Sequence, residues 1–348
     1  MNRIQKIVLG LVFLVLSLTL TTACQKGETV TRSDFTLDTI VTITLYDQKD
    51  QNLLNEAFTE LKRLDTLLSA YNEKSEISAI NAKAGQSPVA VSRETFEVIQ
   101  KGLAYGHLTD GAFDITIGPL VDLWNIGENT EVPAESEIEY ARSLVDYRKV
   151  VLDEEKYTVF LQDPNMKINL GAVAKGYIGQ QLKGFLTERG VTHGILNLGG
   201  NVVLIGEKDR GQPFGVSVED PDNLENTIGV LGISDCAAVT SGDYQRFFIG
   251  SDGQRYHHIL DPQTGYPAES EFRQVTIVTS DSTDADILST ACFILGLDRS
   301  LALVEQVPET EVIFVTKAHE ILKTGEGKYP FQVNQENQEY QYEEIKTE

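Results

Sequence analysis

Gly194-Ile195-Leu196-Asn197-Leu198-Gly199-Gly200-Asn201-Val202-Val203-Leu204-Ile205 reads as two apolar strands folded back on each other at a glycine pair. Upstream of it, Lys167-Ile168-Asn169-Leu170 reads as a strand that stops at Gly171, and Ala172 to Glu188 as a helix carrying Gly176, Gly179 and Gly184. Downstream, apolar and β-branched runs predict strands at Phe214–Val218, Ile228–Ile233, Phe247–Ile249, Val275–Thr279, Val312–Thr316 and His319–Lys323. Helical periodicity places helices at Asp284–Gly296 and Asp298–Val307. Toward the N-terminus, Thr36 to Tyr46 alternates as one strand. Asp50 to Ser69 carries Leu53, Leu54, Ala57, Phe58, Leu61, Leu64 and Leu68 at helical spacing. Ser92 to His107 is a second helix with Ser92 as its N-cap, and Pro133 to Tyr147 a third, acidic one. Val150–Leu152 and Tyr157–Leu161 form a hairpin around Asp153–Lys156. Runs of strands with interspersed helices give an α+β fold, with mixed and antiparallel sheets packed by helices.

The 348 residues suffice for one large domain or two closely packed ones. Lys+Arg 29 against Asp+Glu 52 gives a net charge of −23. No basic field is available to hold a polyphosphate backbone, so a nucleic-acid partner is excluded, while a small phosphorylated ligand needs only one local site. Residues 1–23 read as a signal peptide: Arg3 and Lys6 precede an apolar run from Ile7 to Leu20 that is too short for a comfortable span. Thr21-Thr22-Ala23-Cys24 then resembles a bacterial lipobox, with Thr21 where Leu is usual. Acylation of Cys24 would anchor the protein outside the cytoplasmic membrane. Residues 24–34 read as a linker, 35–331 as the folded domain and 332–348 as a loose acidic tail. Cys236 and Cys292 lack the spacing of a zinc site.

Several stretches carry chemistry. Tyr256-His257-His258-Ile259-Leu260-Asp261-Pro262-Gln263-Thr264-Gly265-Tyr266-Pro267 sets two of the chain's five histidines beside a carboxylate on an ordered loop, an arrangement suited to a general base. Asn169-Leu170-Gly171-Ala172-Val173-Ala174-Lys175-Gly176 ends a strand in glycine and opens a helix of small residues. Such a helix start attracts phosphate, and Lys175 adds a full charge. Asp286 and Thr290 are four apart on a helix, a hard-oxygen pair suited to Mg²⁺ beside phosphate. Thr240-Ser241-Gly242-Asp243-Tyr244-Gln245-Arg246 is a hydroxyl-rich turn able to hold phosphate. Gly111-Ala112-Phe113-Asp114 with Tyr71 offers contacts to a flat heterocycle. Each stretch alone is also compatible with ordinary packing, capping or turn chemistry.

Taken in order, these segments resemble the ApbE family of FAD:protein FMN transferases over most of residues 35–325. The resemblance rests on Ser69-Ala70-Tyr71-Asn72 with Ser75-Glu76-Ile77, Gly111–Asp114, Asn169–Gly176, Leu198-Gly199-Gly200, the Thr240–Arg246 segment, the His258–Pro267 loop and Ala285-Asp286 to Thr290. It implies an extracytoplasmic, Mg²⁺-dependent enzyme that takes FAD as substrate, transfers FMN to Thr or Ser of an acceptor flavoprotein and releases AMP. By position, Tyr71 would flank the isoalloxazine, and Ala112, Phe113 and Asp114 would line the flavin pocket. Leu37, Asn169, Lys175, Ser241 and Ile259 would contact FAD. Asp286, Thr290 and the Ala172 carbonyl would hold Mg²⁺, and His258 would deprotonate the acceptor hydroxyl. Asn169 stands where Asp is usual, and Leu37-Asp38-Thr39 where Met-Gly-Thr is common. The competing readings are an FAD pyrophosphatase, with water as the acceptor, and a flavin- or metal-binding lipoprotein without turnover.

Overall fold

The computed structural model describes residues 29–48, 50–208, 211–325, 327–337 and 339–346. The expected signal peptide and Cys24 lie outside the described residues. Among those described, nine strands form the central sheet. Their spatial order is Val30–Thr36, Thr39–Leu45, Gly194–Leu198, Asn201–Ile205, Ala237–Gly242, Phe272–Thr279, Glu311–Thr316, Glu320–Thr324 and Gln341–Ile345. Every neighbouring pair is antiparallel except the last, which is parallel.

The middle of this sheet is apolar on both faces, which is why its strands read as continuous hydrophobic runs. Val203, Ile205, Ala237, Val239, Val275, Ile277, Val312 and Phe314 enter the larger core. Their alternate neighbours Leu204, Ala238, Val278, Ile313 and Val315 enter a second core on the opposite face. Helices Gln51–Leu68, Ala174–Glu188 and Ser282–Leu295 cover the first face. A small sheet of Phe214–Asp220, Asn223–Ile233 and Phe331–Val333 covers the second. Ser92 caps its helix as expected, accepting from Thr95 N–H, and Asp50 and Ser75 cap theirs by accepting from Asn52 and Ser78 N–H.

Four expectations change. Thr36–Tyr46 is not one strand: the chain turns at Leu37-Asp38, both with φ of 54°, and forms a hairpin of Val30–Thr36 with Thr39–Leu45. A two-residue hairpin turn calls for positive φ and normally shows itself by Gly or Asn, and neither stands here. Lys167–Leu170 is extended but joins no ladder. It makes a single parallel bridge, Lys167 with Ile117, and its backbone also bonds the Asn81 side chain and the Ile115 carbonyl. Thr240-Ser241-Gly242 ends a central strand rather than forming a turn. The chain beyond Gln332 is no loose tail either. Phe331–Val333 pairs with Gly229–Leu231, and Gln341–Ile345 closes the sheet edge beside Glu320–Thr324. Buried Tyr340 fastens that edge through its hydroxyl to Asp220. The short helix Gly118–Trp124, opening with Pro119, was not expected from the sequence.

Candidate functional site

Sheet register brings the chemistry-bearing stretches to one end of the sheet. Val41 faces Leu198 across two strands, so the Leu37-Asp38 turn and the Gly199-Gly200 turn lie side by side. A Cβ on Gly199 would meet Thr39 Oγ1 at 2.3 Å, and φ there is +63°. Only glycine tolerates both conditions. Ala237 pairs with Val203, which carries Ser241 and Gly242 back to the same end as Asn201.

Asp286 sits at the centre. It is 4% exposed; Oδ2 accepts the Gly176 N–H at 2.8 Å and Oδ1 the Asn201 side-chain amide at 2.9 Å. Burial pushes its pKa up, and the nearby Lys175 charge and these two donors work against that. Asn201, itself 2% exposed, was not singled out by sequence reasoning, although it directly follows the glycine pair. Gly176 allows the contact: a Cβ there would lie 2.2 Å from the Ser282 carbonyl oxygen and 2.6 Å from Asp286 Cβ. Gly176→Ala should therefore part the two helices and lower stability by about 1–3 kcal/mol. Thermal unfolding checks this, and an unchanged melting temperature would refute it.

Because Gly176 N–H is directed to Asp286, it does not take up the Ala172 carbonyl four residues back, as the helical ladder otherwise would. Thr290 lies one turn beyond Asp286 on the same helix. Its hydroxyl is 3.3 Å from Ser241 Oγ, which in turn is 2.8 Å from Ser289 Oγ. Asp286, the Ala172 carbonyl left without a helical donor and Thr290 all offer oxygen, only one of them a carboxylate. Among the described residues no group of three His, Cys, Asp or Glu is arranged to hold a metal ion. A hard cation that keeps waters and completes its shell with substrate phosphate fits a site with a single carboxylate.

The two histidines have separate roles. His257 is buried. Its Nε2 bonds the Ala268 carbonyl at 3.1 Å, its Nδ1 accepts the Ile259 N–H, and its ring meets Phe293 edge-on. It shapes the loop. His258 is half-buried, and its Nδ1 lies 3.3 Å from the Arg246 carbonyl, which also accepts the His258 backbone N–H. A carbonyl partner makes Nδ1 the protonated nitrogen and leaves the Nε2 lone pair free. Burial, then the positive fields of His257, Arg246 and Lys175, push its pKa down to about 4, with the carbonyl bond acting the other way. The imidazole is neutral at pH 7. Asp261, the carboxylate in the loop, does not orient it. Asp261 accepts the Gln263 N–H and closes the turn.

The remaining expected contacts divide. Tyr71 is 67% exposed and its hydroxyl lies 3.4 Å from Asn169 Nδ2, so these two stand together at the rim. Asn169 Oδ1 accepts Gly171 N–H and so shapes the turn into the Lys175 helix. Leu37 is half-buried with its strained backbone tied by N–H to Asp65. Ala112, Phe113 and Asp114 are buried beneath the surface. Both oxygens of Asp114 are engaged by Thr116 and the Tyr147 N–H, so its carboxylate holds the loop. Ile259 is likewise a core side chain, with its N–H on His257.

A buried carboxylate, a lysine at a helix start and a neutral imidazole with a free nitrogen are a set of groups suited to group transfer. The ApbE family model matches residues 37–314, and the chain belongs to that family. An FAD:protein FMN transferase of Klebsiella pneumoniae is 39% identical over 81% of this chain and 88% of its own length. One from Treponema pallidum is 34% identical over 82% and 83%. Among solved structures, the ApbE protein of Thermotoga maritima superposes with a TM-score of 0.76 at 33% identity, covering 89% of this chain and 98% of its own. The flavin transferase ApbE of Vibrio cholerae does so with a TM-score of 0.76 at 27% identity, covering 90% and 100%.

Proposed function

We propose that the protein is an FAD:protein FMN transferase that uses Mg²⁺ and works outside the cytoplasmic membrane, anchored through acylated Cys24. The acceptor Ser or Thr oxygen attacks the phosphorus on the FMN side of the FAD pyrophosphate. The anhydride bond breaks, AMP leaves, and the hydroxyl proton passes to His258 Nε2. The observation that carries this reading is the contact of His258 Nδ1 with the Arg246 carbonyl, a partner that can only accept and so leaves Nε2 to take a proton. Lys175, whose field reaches both His258 and Asp286, would meet the pyrophosphate. Asp286, Thr290 and the Ala172 carbonyl would hold Mg²⁺, which when bound neutralises phosphate charge. Tyr71 and Asn169 at the rim suit the flavin.

Incubating the mature domain with FAD, Mg²⁺ and an acceptor protein tests the proposal. Covalent FMN on the acceptor, seen by in-gel fluorescence, with AMP released in equal amount, supports it. AMP and free FMN without labelled acceptor would make the protein a pyrophosphatase, and bound FAD without AMP a simple flavin binder. The anchor is tested separately. Cys24→Ala should shift the protein from the membrane to the soluble fraction or stall its processing. Unchanged membrane fractionation would refute acylation.

A further inference from the structure

The outward face of the first hairpin obeys one pattern until its tip. The cross-strand pairs on that face are Thr31 with Thr44, Ser33 with Thr42 and Phe35 with Ile40. The first two are hydroxyl pairs bonded at 3.1 and 2.8 Å. The third is apolar, with Phe35 70% and Ile40 65% exposed. The inward positions of the second strand, Val41, Ile43 and Leu45, are fully buried, so the hairpin already has its core face and the tip pair is not part of it. Two large apolar side chains directly opposite each other make a contiguous patch rather than scattered exposure.

The patch is tied to the base through one arginine. It flanks the Leu37-Asp38 turn, and Arg246 Nη2 lies 3.4 Å from the Asp38 carbonyl. The carbonyl of the same Arg246 accepts from His258. One residue therefore links the turn between Phe35 and Ile40 to the imidazole. Exposed Tyr71 feels the charges of both Asp38 and Arg246, which puts it on the same rim.

We infer that Phe35 and Ile40 are the docking point of the acceptor protein. An apolar side chain near the acceptor's reactive Ser or Thr seats on this pair while the hydroxyl reaches His258. The inference rests on the transferase reading. A protein acceptor must touch the enzyme beyond the reacting atoms, and this exposed pair is joined to the base through Arg246. Apolar anchors of this kind dominate binding at otherwise polar contacts.

The test uses the full-length protein and, as probe, an extract of its own cells from which its gene has been removed, with added FAD and Mg²⁺. Phe35→Ser with Ile40→Ser should slow the appearance of the fluorescent acceptor band at least about tenfold at limiting extract. The rate should recover at saturating extract, and FAD affinity by flavin-fluorescence quenching should stay unchanged. Phe35→Leu with Ile40→Val should restore most of the rate. An equal rate for wild type and the Ser variant at limiting extract overturns the inference alone. So does a loss of FAD binding in the Ser variant, which would assign the pair to the cofactor pocket. Loss of lipid-vesicle binding with normal labelling would assign it to the bilayer instead. No labelled band with the wild type, despite FAD binding, overturns the transferase reading and this inference with it.

Discussion

Asp286→Asn should reduce transfer by about 10²-fold or more, since outer-shell metal partners alone are typically worth 10–100-fold and Asp286 is the one carboxylate in the donor set. Asn keeps the volume and one acceptor oxygen for the Asn201 amide or the Gly176 N–H. It removes the charge, and with it any strong hold on Mg²⁺. Two opposing effects decide its stability. The buried carboxylate has a raised pKa, so its charged form is disfavoured in the fold, and that cost is present at pH values above its shifted pKa. Removing the charge therefore favours the fold at neutral pH, while the lost acceptor costs about 1–3 kcal/mol. The melting temperature without ligand should accordingly move little. Mg²⁺ with FAD should raise the wild-type melting temperature and leave that of the variant nearly unmoved. A variant that turns over at the wild-type rate across a Mg²⁺ titration would refute the metal assignment.

What the sequence revealed depended on whether a residue's role is local. The Ser92 cap was legible because it acts on an N–H group only three residues away. The Gly199-Gly200 reversal was legible because its signal is the glycine pair itself. The Leu37-Asp38 turn was hidden, because its strained backbone is held by a remote carboxylate, Asp65, and not by its own chemistry. The acidic composition beyond Gln332 concealed an edge strand whose anchor, Tyr340, finds its partner 120 residues upstream at Asp220.

The site divided in the same way. Motif order assigned the Asp286–Thr290 helix, Lys175 and His258 to one site; in the fold Asp286 meets Gly176 and Asn201, and the Lys175 charge reaches both Asp286 and His258. Asn201 as the partner of Asp286, and the Arg246 carbonyl as the partner of His258, are contacts across 85 and 12 residues that no spacing announces. Conversely, Asp114 looked like a ligand-facing carboxylate. Only the fold shows its oxygens already taken by Thr116 and Tyr147.

His258→Ala should leave FAD affinity near normal and lower transfer by about 10²–10⁴-fold, the usual contribution of a positioned base. The acceptor hydroxyl is a weak nucleophile at neutral pH, and the variant has nothing at Nε2 to take its proton. The pH profile separates this role from a packing role. In the free enzyme the imidazole is held down to about 4, chiefly by burial and then by the charges of His257, Arg246 and Lys175. A base must be unprotonated, so kcat/KM should stay level as pH falls from 8 to about 5 and drop only near 4; a solvated histidine would begin to fail near 6.5. The anionic pyrophosphate favours the imidazolium, so the acid limb of kcat should lie above that of kcat/KM. In His258→Ala that limb should vanish, and the residual rate should rise with pH as hydroxide takes over. His257→Ala should behave differently. It loses the Ala268 and Ile259 bonds that shape the loop, so it should lower the melting temperature while keeping the wild-type acid limb. Initial rates of covalent FMN formation from pH 4 to 9, with FAD affinity measured alongside, decide the matter. A wild-type rate in His258→Ala, or an acid limb near 6.5 that survives the substitution, would remove His258 from the role of base.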